Sequence, residues 1–481
     1  MSVKDIQTPL YDALVQHHQK KPLSLHVPGH KNGSFFYEKG FSFFSEILKL
    51  DVTELTDLDD LHAPSGVIKE AQELAAHVYG VKSTYFLVNG STVGNLAMIL
   101  SCVSEGDYVL VQRNCHKSII HGIQLAGAIP VFLAPKFDCD LQLPSYVSIE
   151  TIRDAIKQYP KAKALILTNP NYYGQSYIKL EEVIQLAHQY HIPVLVDEAH
   201  GAHFIVGSIF PKSAVEMGAD IVIHSAHKTL PALTMGSFLH FNSRFIEEEK
   251  VSHYLKVLQS SSPSYLIMAS LDLARAYVQM LAEKEQKIKE TIKIITNEIS
   301  KLHGISLVTS HDENIVQDPL KITVRSTNGL TGFQLQQIFE ESAIFPELAD
   351  PVNVLLILPL AAKAEPKNYF NKIFNSFKVM EKAPYIRADV FPSVEVEPIS
   401  QLLFTYKNLS KLNKKLVSFE NAIGELCAEM IIPYPPGIPL LMTGEKISLQ
   451  HIKQIQTLLQ MNARFQGGEG LNEGKIMIYT K

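Results

Sequence analysis

The densest group of potentially reactive side chains in this sequence is His224, Ser225, His227 and Lys228, inside GADIVIHSAHKTLPALTMG at residues 218–236. A lysine becomes a nucleophile when desolvation or nearby positive charge lowers its pKa, and it can then form a Schiff base with an aldehyde. The plainer alternative is a lysine at a strand end whose amine reaches solvent. The element that must position it is the run before it. Ala219 to Ile223 is apolar except for Asp220, the pattern of a buried parallel strand that delivers side chains to a crevice at its carboxyl end. Small neighbours leave room for a planar group.

A second apolar strand, Pro193 to Val196, ends in DEAHGAHF. The Asp197 carboxylate is costly to bury there without a positive partner. One such partner is the protonated ring nitrogen of pyridoxal phosphate, which Asp197 would keep positive so that the ring draws electrons from a substrate α-carbon. The other is a metal, because Asp197, His200 and His203 give D-x-x-H-x-x-H, and His224 and His227 repeat H-x-x-H. The glycine after His200 makes a regular helix doubtful there, so that spacing need not bring the imidazoles together.

Upstream, Thr84 to Val88 reads as a strand, and Asn89-Gly90-Ser91-Thr92 leads into a helical stretch from Val93 to Val103. A glycine and two hydroxyl residues at a helix start form an anion cup from backbone N–H groups, hydroxyl donors and the positive dipole end. Ser91 as a plain helix cap is the competing reading. Neither a P-loop nor a dinucleotide glycine spacing is present. Further strands, Tyr108 to Val111, Pro130 to Leu133 and Ala164 to Leu167, alternate with helical stretches; the first leads into RNCHKS, with His116 just past the strand, and the last ends in TNPNYYG. This alternation predicts an α/β fold, a parallel sheet with helices on both faces and ligands at the strand carboxyl ends.

Length and composition bound the rest. The chain has 481 residues and a net charge of -5, with mean hydropathy near zero, so neither a nucleic-acid footprint nor a membrane protein is indicated. MSVKDIQTPL lacks a signal-peptide pattern, and the 4 cysteines show no CxxC spacing, which together point to a reducing cytoplasm. Residues 1–50 read as an N-terminal arm with a loop at LSLHVPGHKNG, where His26, His30 and Lys31 fit a solvated turn. The acidic run DVTELTDLDDLH at residues 51–62 reads as a solvated loop or as attraction for a cationic substrate. The proposed boundaries are 51–263 for the large domain, 264–302 for a helical linker and 303–481 for a smaller α+β C-terminal domain. In the last, Leu320 to Val324 and Val354 to Leu358 are strands and Thr331 to Glu341 a helix; lysine-rich helices lie on the surface between 364 and 420, and YPPGIP is a rigid turn.

HVPGHKNG, DVTELTDLDDLHAPSG, FLVNGSTVGN, RNCHKS, TNPNYYG, VDEAHGAHF, HSAHKTLPALTMGS and SSSPSYLIMASLD occur in order from about His26 to Asp272, and IIPYPPGIPLLMTGE follows near the end. This series resembles the successive motifs of the bacterial pyridoxal-phosphate-dependent ornithine/lysine/arginine decarboxylases, and the length is similar to their short form, as in Bacillus arginine decarboxylase. The resemblance implies a fold-type-I large domain. It implies that Lys228 carries pyridoxal 5'-phosphate as a Schiff base, that Asp197 pairs with the ring nitrogen and that His116 stacks on the ring. It places the phosphate on Gly90, Ser91, Thr92, Ser225 and His227, with Ser261 of the SSSP stretch reaching it from the second subunit of a homodimer or dimer of dimers. His200 would lie near the phenolic oxygen or the reacting carbon.

The expected reaction is decarboxylation of a basic amino acid, arginine to agmatine first and lysine to cadaverine next, feeding polyamine metabolism. A carboxylate grips guanidinium by two parallel hydrogen bonds but holds ammonium as a point charge; Asp57, Asp60, Glu347 and Glu429 are the candidates for that grip. Three alternatives stay open: an aminotransferase or aldolase of the same fold, with Arg387 holding the α-carboxylate; a metal hydrolase; and a non-catalytic regulator.

Overall fold

The computed structural model describes residues 6–362, 397–434 and 437–480. The chain forms two compact units, Met1–Cys102 with Pro193–Glu285, and Val103–Ile192 with Gln286–Lys481.

In the first unit the strands lie in the order Ser83–Leu87, Ser237–Phe241, Ile221–His224, Val194–Asp197. Val194–Asp197 and Ile221–His224 are parallel, with Asp197 opposite Ile223. Ser237–Phe241 is antiparallel to both of its neighbours, the antiparallel member of a mainly parallel sheet. Its connection from Ile221–His224 carries the single turn Ala226–Thr229, and a parallel return needs a longer crossover, usually a full helix. Asp220, the polar break before the strand, is buried and structural: its Oδ2 accepts the Val194 N–H at 2.8 Å and its Oδ1 the Ser243 hydroxyl at 2.6 Å. Helix Gly90–Leu100 buries Val93, Ala97 and Met98. It comes so close to the sheet that a Cβ on Gly94 would lie 2.8 Å from Leu87 Cδ1.

The arm contains more structure than its sequence suggests. Helix Pro9–Gln19 buries Leu10 and Leu14, each worth about 1.5–3 kcal/mol. Asp272, on helix Tyr265–Leu281, accepts the N–H groups of Leu10 at 3.1 Å and Tyr11 at 3.4 Å, and Arg275 pairs with it in full burial. A further helix, Glu38–Leu48, was not legible, because its apolar side chains Phe41, Phe43 and Phe44 are exposed and mark no core-facing stripe.

In the second unit Ala164–Thr168, Tyr108–Gln112 and Ile129–Leu133 are neighbours in that order, and Ile399–Gln401 joins the last of them antiparallel. The Tyr108–Gln112 strand runs parallel to both of its partners, Val109 facing Pro130 on one side and Ala164 on the other. An antiparallel sheet of Ile305–Val308, Lys321–Ser326, Val354–Ile357 and Leu348–Ala349 follows, with helix Gly332–Glu341 started by a capping box of Thr331 and Gln334. Nearer the C-terminus, Asn413–Ser418 pairs with Lys475–Thr480. Helix Leu449–Gln460 supplies Ile452 and Ile455 to the core beside them. Of the surface helices expected between 364 and 420, those up to 396 lie outside the described residues, as do Arg387, Pro435 and Pro436; residues 397–420 hold short strands and the turn Tyr406–Leu409. No helix among the described residues is long and apolar enough to cross a membrane.

Candidate active site

Asp197 and Lys228 come from the carboxyl ends of neighbouring strands. Asp197 is buried, its Oδ2 accepting from Asn95 Nδ2 at 2.9 Å and its Oδ1 from the Ala199 N–H at 3.2 Å. Lys228 sits on the turn Ala226–Thr229, and its Nζ lies 3.1 Å from Nε2 of the buried His200. The Ser225 N–H reaches the Ala199 carbonyl at 3.3 Å, which ties the loop after Asp197 to the turn that bears the lysine.

The helix start expected to hold an anion is brought to the same place. Gly90 donates to Met235 O at 3.0 Å, and the His227 backbone N–H donates to Gly236 O at 3.2 Å, so both segments hang from consecutive carbonyls. Gly90 has φ +78°, which favours glycine. Asn89 occupies the position before the first turn, so Ser91 is not the helix cap; Gly90, Ser91 and Thr92 form that turn. Helix-start N–H groups have no carbonyl partner within their own helix.

Two polar atoms are left over beside this array. Ser225 Oγ and Thr229 Oγ1 are buried with no hydrogen-bond partner among the described residues, a condition that costs about 1–3 kcal/mol per group. Hydroxyls awaiting an acceptor, a helix start, an amine and a buried carboxylate fit the parts of a phosphorylated pyridine aldehyde: phosphate, aldehyde and ring nitrogen.

Residues 8–318 match the family model for the Orn/Lys/Arg decarboxylase major domain, and residues 387–473 that for its C-terminal domain. The chain belongs to the Orn/Lys/Arg decarboxylase family. It is 50% identical over 480 residues to the uncharacterized protein YaaO of Bacillus subtilis (strain 168), with 99% of each chain covered. It is 33% identical over 476 residues to an arginine decarboxylase of Bacillus anthracis, covering 97% of this chain and 96% of the relative. Among solved structures, lysine decarboxylase A from Pseudomonas aeruginosa superposes with a TM-score of 0.80 at 19% identity, covering 98% of this chain and 80% of that one. At that identity the likeness shows the fold, a fold-type-I large domain with a mixed sheet and an additional C-terminal domain.

The histidines of the metal alternative go to separate partners in this decarboxylase. His200 meets Lys228, His203 lies edge-on to Phe204 and Phe210, and His224 Nε2 is 2.8 Å from Glu198 Oε2. Among the described residues no group of three His, Cys, Asp or Glu side chains is placed to hold a metal ion.

His116 belongs to the second unit. It caps helix Lys117–Ala126, its Nδ1 accepting the Ser118 N–H at 3.3 Å, and a Cβ on Gly437 would sit 3.6 Å from its ring. Ser261 is exposed; in the same stretch the Ser260 N–H points to Asn89 Oδ1 of the same chain at 3.4 Å. Three of the four acidic candidates for the substrate side chain have other partners. Asp57 pairs with Lys20 at 3.1 Å, and Glu429 accepts the Gly468 and Met477 N–H groups, both at 2.8 Å. Asp60 accepts the His62 N–H at 2.8 Å, and Glu347 is exposed.

Sequence reasoning missed Asn95 and Glu198. Asn95 carried a usable signal, since it lies one helical turn after Ser91 and therefore on the same face. Glu198 carried none, because its partners come from segments distant in the chain.

Proposed function

We propose that this decarboxylase holds pyridoxal 5'-phosphate on Lys228 and removes the α-carboxylate of a basic amino acid, arginine first and lysine second. The observation that carries the reading is the unpaired, buried Ser225 Oγ next to a turn whose Lys228 amine meets His200, with the Asp197 carboxylate fixed by Asn95 on the adjacent strand end. The cofactor, when bound, supplies an electron sink for the pair left at the α-carbon as CO2 departs.

The protein's own groups do the rest. Asp197, anchored at both oxygens, keeps a proton on the ring nitrogen, because a fixed buried anion favours the positive form beside it. Ser91, Thr92, Ser225, His227 and Gly90 hold the phosphate, and His116 keeps the ring-stacking role that the family resemblance implies. His200 Nε2, 3.1 Å from Lys228 Nζ, can exchange a proton with it. Either group can then give the α-carbon its proton. An oriented bond to the α-carboxylate is what separates decarboxylation from transamination. Arginine is favoured by the similarity to arginine decarboxylases. The proposal includes a cytoplasmic homodimer or dimer of dimers, with Ser261 reaching the partner's phosphate, and a role in polyamine formation.

The test is an absorbance spectrum before and after borohydride, peptide mapping of the reduced adduct, and CO2 release from arginine, lysine and ornithine in parallel. A chromophore fixed to Lys228 with CO2 released from arginine meets the proposal. A protein that stays colourless and inactive with added pyridoxal phosphate discards it, and transamination without CO2 release moves it to the aminotransferase alternative.

A further inference from the structure

On the reverse side of the same strand ends runs a line of buried side chains to which nothing above gives a role. Strand residues alternate between faces, so Glu198 and His224 turn away from the side that Asp197 and Ser225 serve. Glu198 Oε2 meets His224 Nε2 at 2.8 Å, His224 Nδ1 meets His240 Nε2 at 3.1 Å, and His240 Nδ1 meets Thr84 Oγ1 at 2.9 Å. Glu198, His224 and His240 are 0–1% exposed and Thr84 3%. The line crosses four neighbouring strands, and Thr84 and His240 are direct register partners. Ser213 Oγ and the Ala214 N–H also donate to Glu198, the latter at 3.0 Å. The Tyr79 ring covers both imidazoles, with centroids 5.3 Å from His224 and 4.2 Å from His240, and its hydroxyl donates to Ala202 O at 2.8 Å. Gly201 makes room: a Cβ there would lie 2.6 Å from Glu198 Cγ.

We propose that Glu198, His224, His240 and Thr84 form a positioning rung whose protons all point toward Glu198 and whose tension holds Asp197 and Lys228 in register. The Thr84 hydroxyl donates to His240 Nδ1, His240 Nε2–H donates to His224 Nδ1, and His224 Nε2–H donates to Glu198. Each imidazole is then neutral with its proton on Nε2, and the rung carries one buried charge, the carboxylate, which already has donors from Ser213 and Ala214. Burial holds His240 well below the usual histidine range, in keeping with a neutral ring. Two of the rung's members are covalent neighbours of the site: Glu198 follows Asp197, and His224 precedes Ser225 and the lysine turn. Misplacing reacting groups by about 1 Å can cost about a hundredfold in rate.

This rests on the proposed cofactor reading, so the experiment reads the rung separately from the chemistry. In Glu198→Gln the one amide oxygen is held by the Ala214 N–H, as Glu198 Oε1 is at 3.0 Å, so the amide N–H faces His224 and should reverse both rings to Nδ1–H. His224→Gln can donate to Glu198 and accept from His240, preserving the proton order, whereas His224→Leu breaks it. The full-length chain is labelled with 15N-histidine and its ring nitrogens are read with and without added pyridoxal phosphate. Thermal melting, the pH titration of the bound chromophore, kcat and KM are measured on all variants.

We expect two Nε2–H rings in the wild type and two Nδ1–H rings in Glu198→Gln. We expect kcat about tenfold to a hundredfold lower in Glu198→Gln and His224→Leu, a displaced chromophore titration, KM within about threefold, and at least half of wild-type kcat in His224→Gln. The proposal is overturned if the wild-type rings carry another proton order, if His224→Gln is as impaired as His224→Leu, or if the variants lower the melting temperature while kcat and the chromophore titration stay put. Nε2–H rings in a protein that forms no chromophore would count against the cofactor reading and leave the proton order intact.

Discussion

Two acidic and histidine-containing stretches of this molecule, residues 51–62 and 197–203, look equally promising as text and behave in opposite ways. In the first, Asp59 accepts the N–H groups of Asp60, Ser65, Gly66, Ile68 and Lys69 and so starts helix Val67–Tyr79. Asp51 faces His30, Asp57 faces Lys20, and Asp60 accepts its neighbour's N–H. These carboxylates satisfy their own backbone or nearby side chains. At the second, Asp197 is fixed by Asn95 while buried hydroxyls next to Lys228 have no partner among the described residues. Charge density does not make a site; polar atoms fixed in place with an unmet bonding capacity do.

Breaking the second region should therefore remove function, and breaking the first should remove only stability. The largest effect is expected for Lys228→Ala, which should lower CO2 release by a factor on the order of 10⁴ or more, as loss of a covalent group does, and abolish borohydride fixation at that position by peptide mapping. Asp197→Asn keeps the shape and the Asn95 contact but loses the fixed charge. It should lower kcat about a hundredfold or more, with a blue or red shift of the chromophore read by absorbance. Ser225→Ala removes one hydroxyl from the proposed phosphate cup; a hydrogen bond to a charged group is worth about 1.5–3 kcal/mol. The dissociation constant for pyridoxal phosphate, measured by equilibrium dialysis, should rise about tenfold or more.

The smallest functional effect is expected from Asp59→Asn, in the other region. Loss of the charged cap should cost about 1–2 kcal/mol in urea unfolding, with kcat unchanged. Burial pushes the Asp59 carboxyl up, but the N–H groups of Ser65, Asp60, Gly66 and Lys69 outweigh that and hold it below the usual aspartate range. A depressed folded-state pKa contributes stability that is complete above the unfolded value of about 4 and is lost as pH falls through the lower folded value. The melting temperature of the wild type should fall more steeply than that of Asp59→Asn in that acid window. A drop in kcat for Asp59→Asn equal to that of Ser225→Ala would erase the distinction between the two regions.

Much of this division was legible beforehand. Apolar strands ending in polar residues placed Asp197, Lys228 and the Gly90 turn, because a buried parallel strand has to be apolar on both faces and to release its polar side chains at its end. The helix after Asn89 and the helical passage from Ser264 followed from their apolar residues. Helix Glu38–Leu48 did not, since its aromatic side chains face outward. The antiparallel insertion of Ser237–Phe241 was equally hidden: period-2 apolarity is the same for either strand direction.

The sequence by itself determined the strand and helix alternation, the candidate lysine and carboxylate, and the order of motifs that marks an Orn/Lys/Arg decarboxylase, all of which are local patterns of residue type. Only the tertiary structure decided which carboxylates are capped and which are held ready, and it alone revealed Asn95 behind Asp197 and the Glu198–His224–His240–Thr84 rung. Glu198 and Thr84 lie far apart along the chain, and hydrogen bonds between such residues exist only once the strands that carry them have become neighbours.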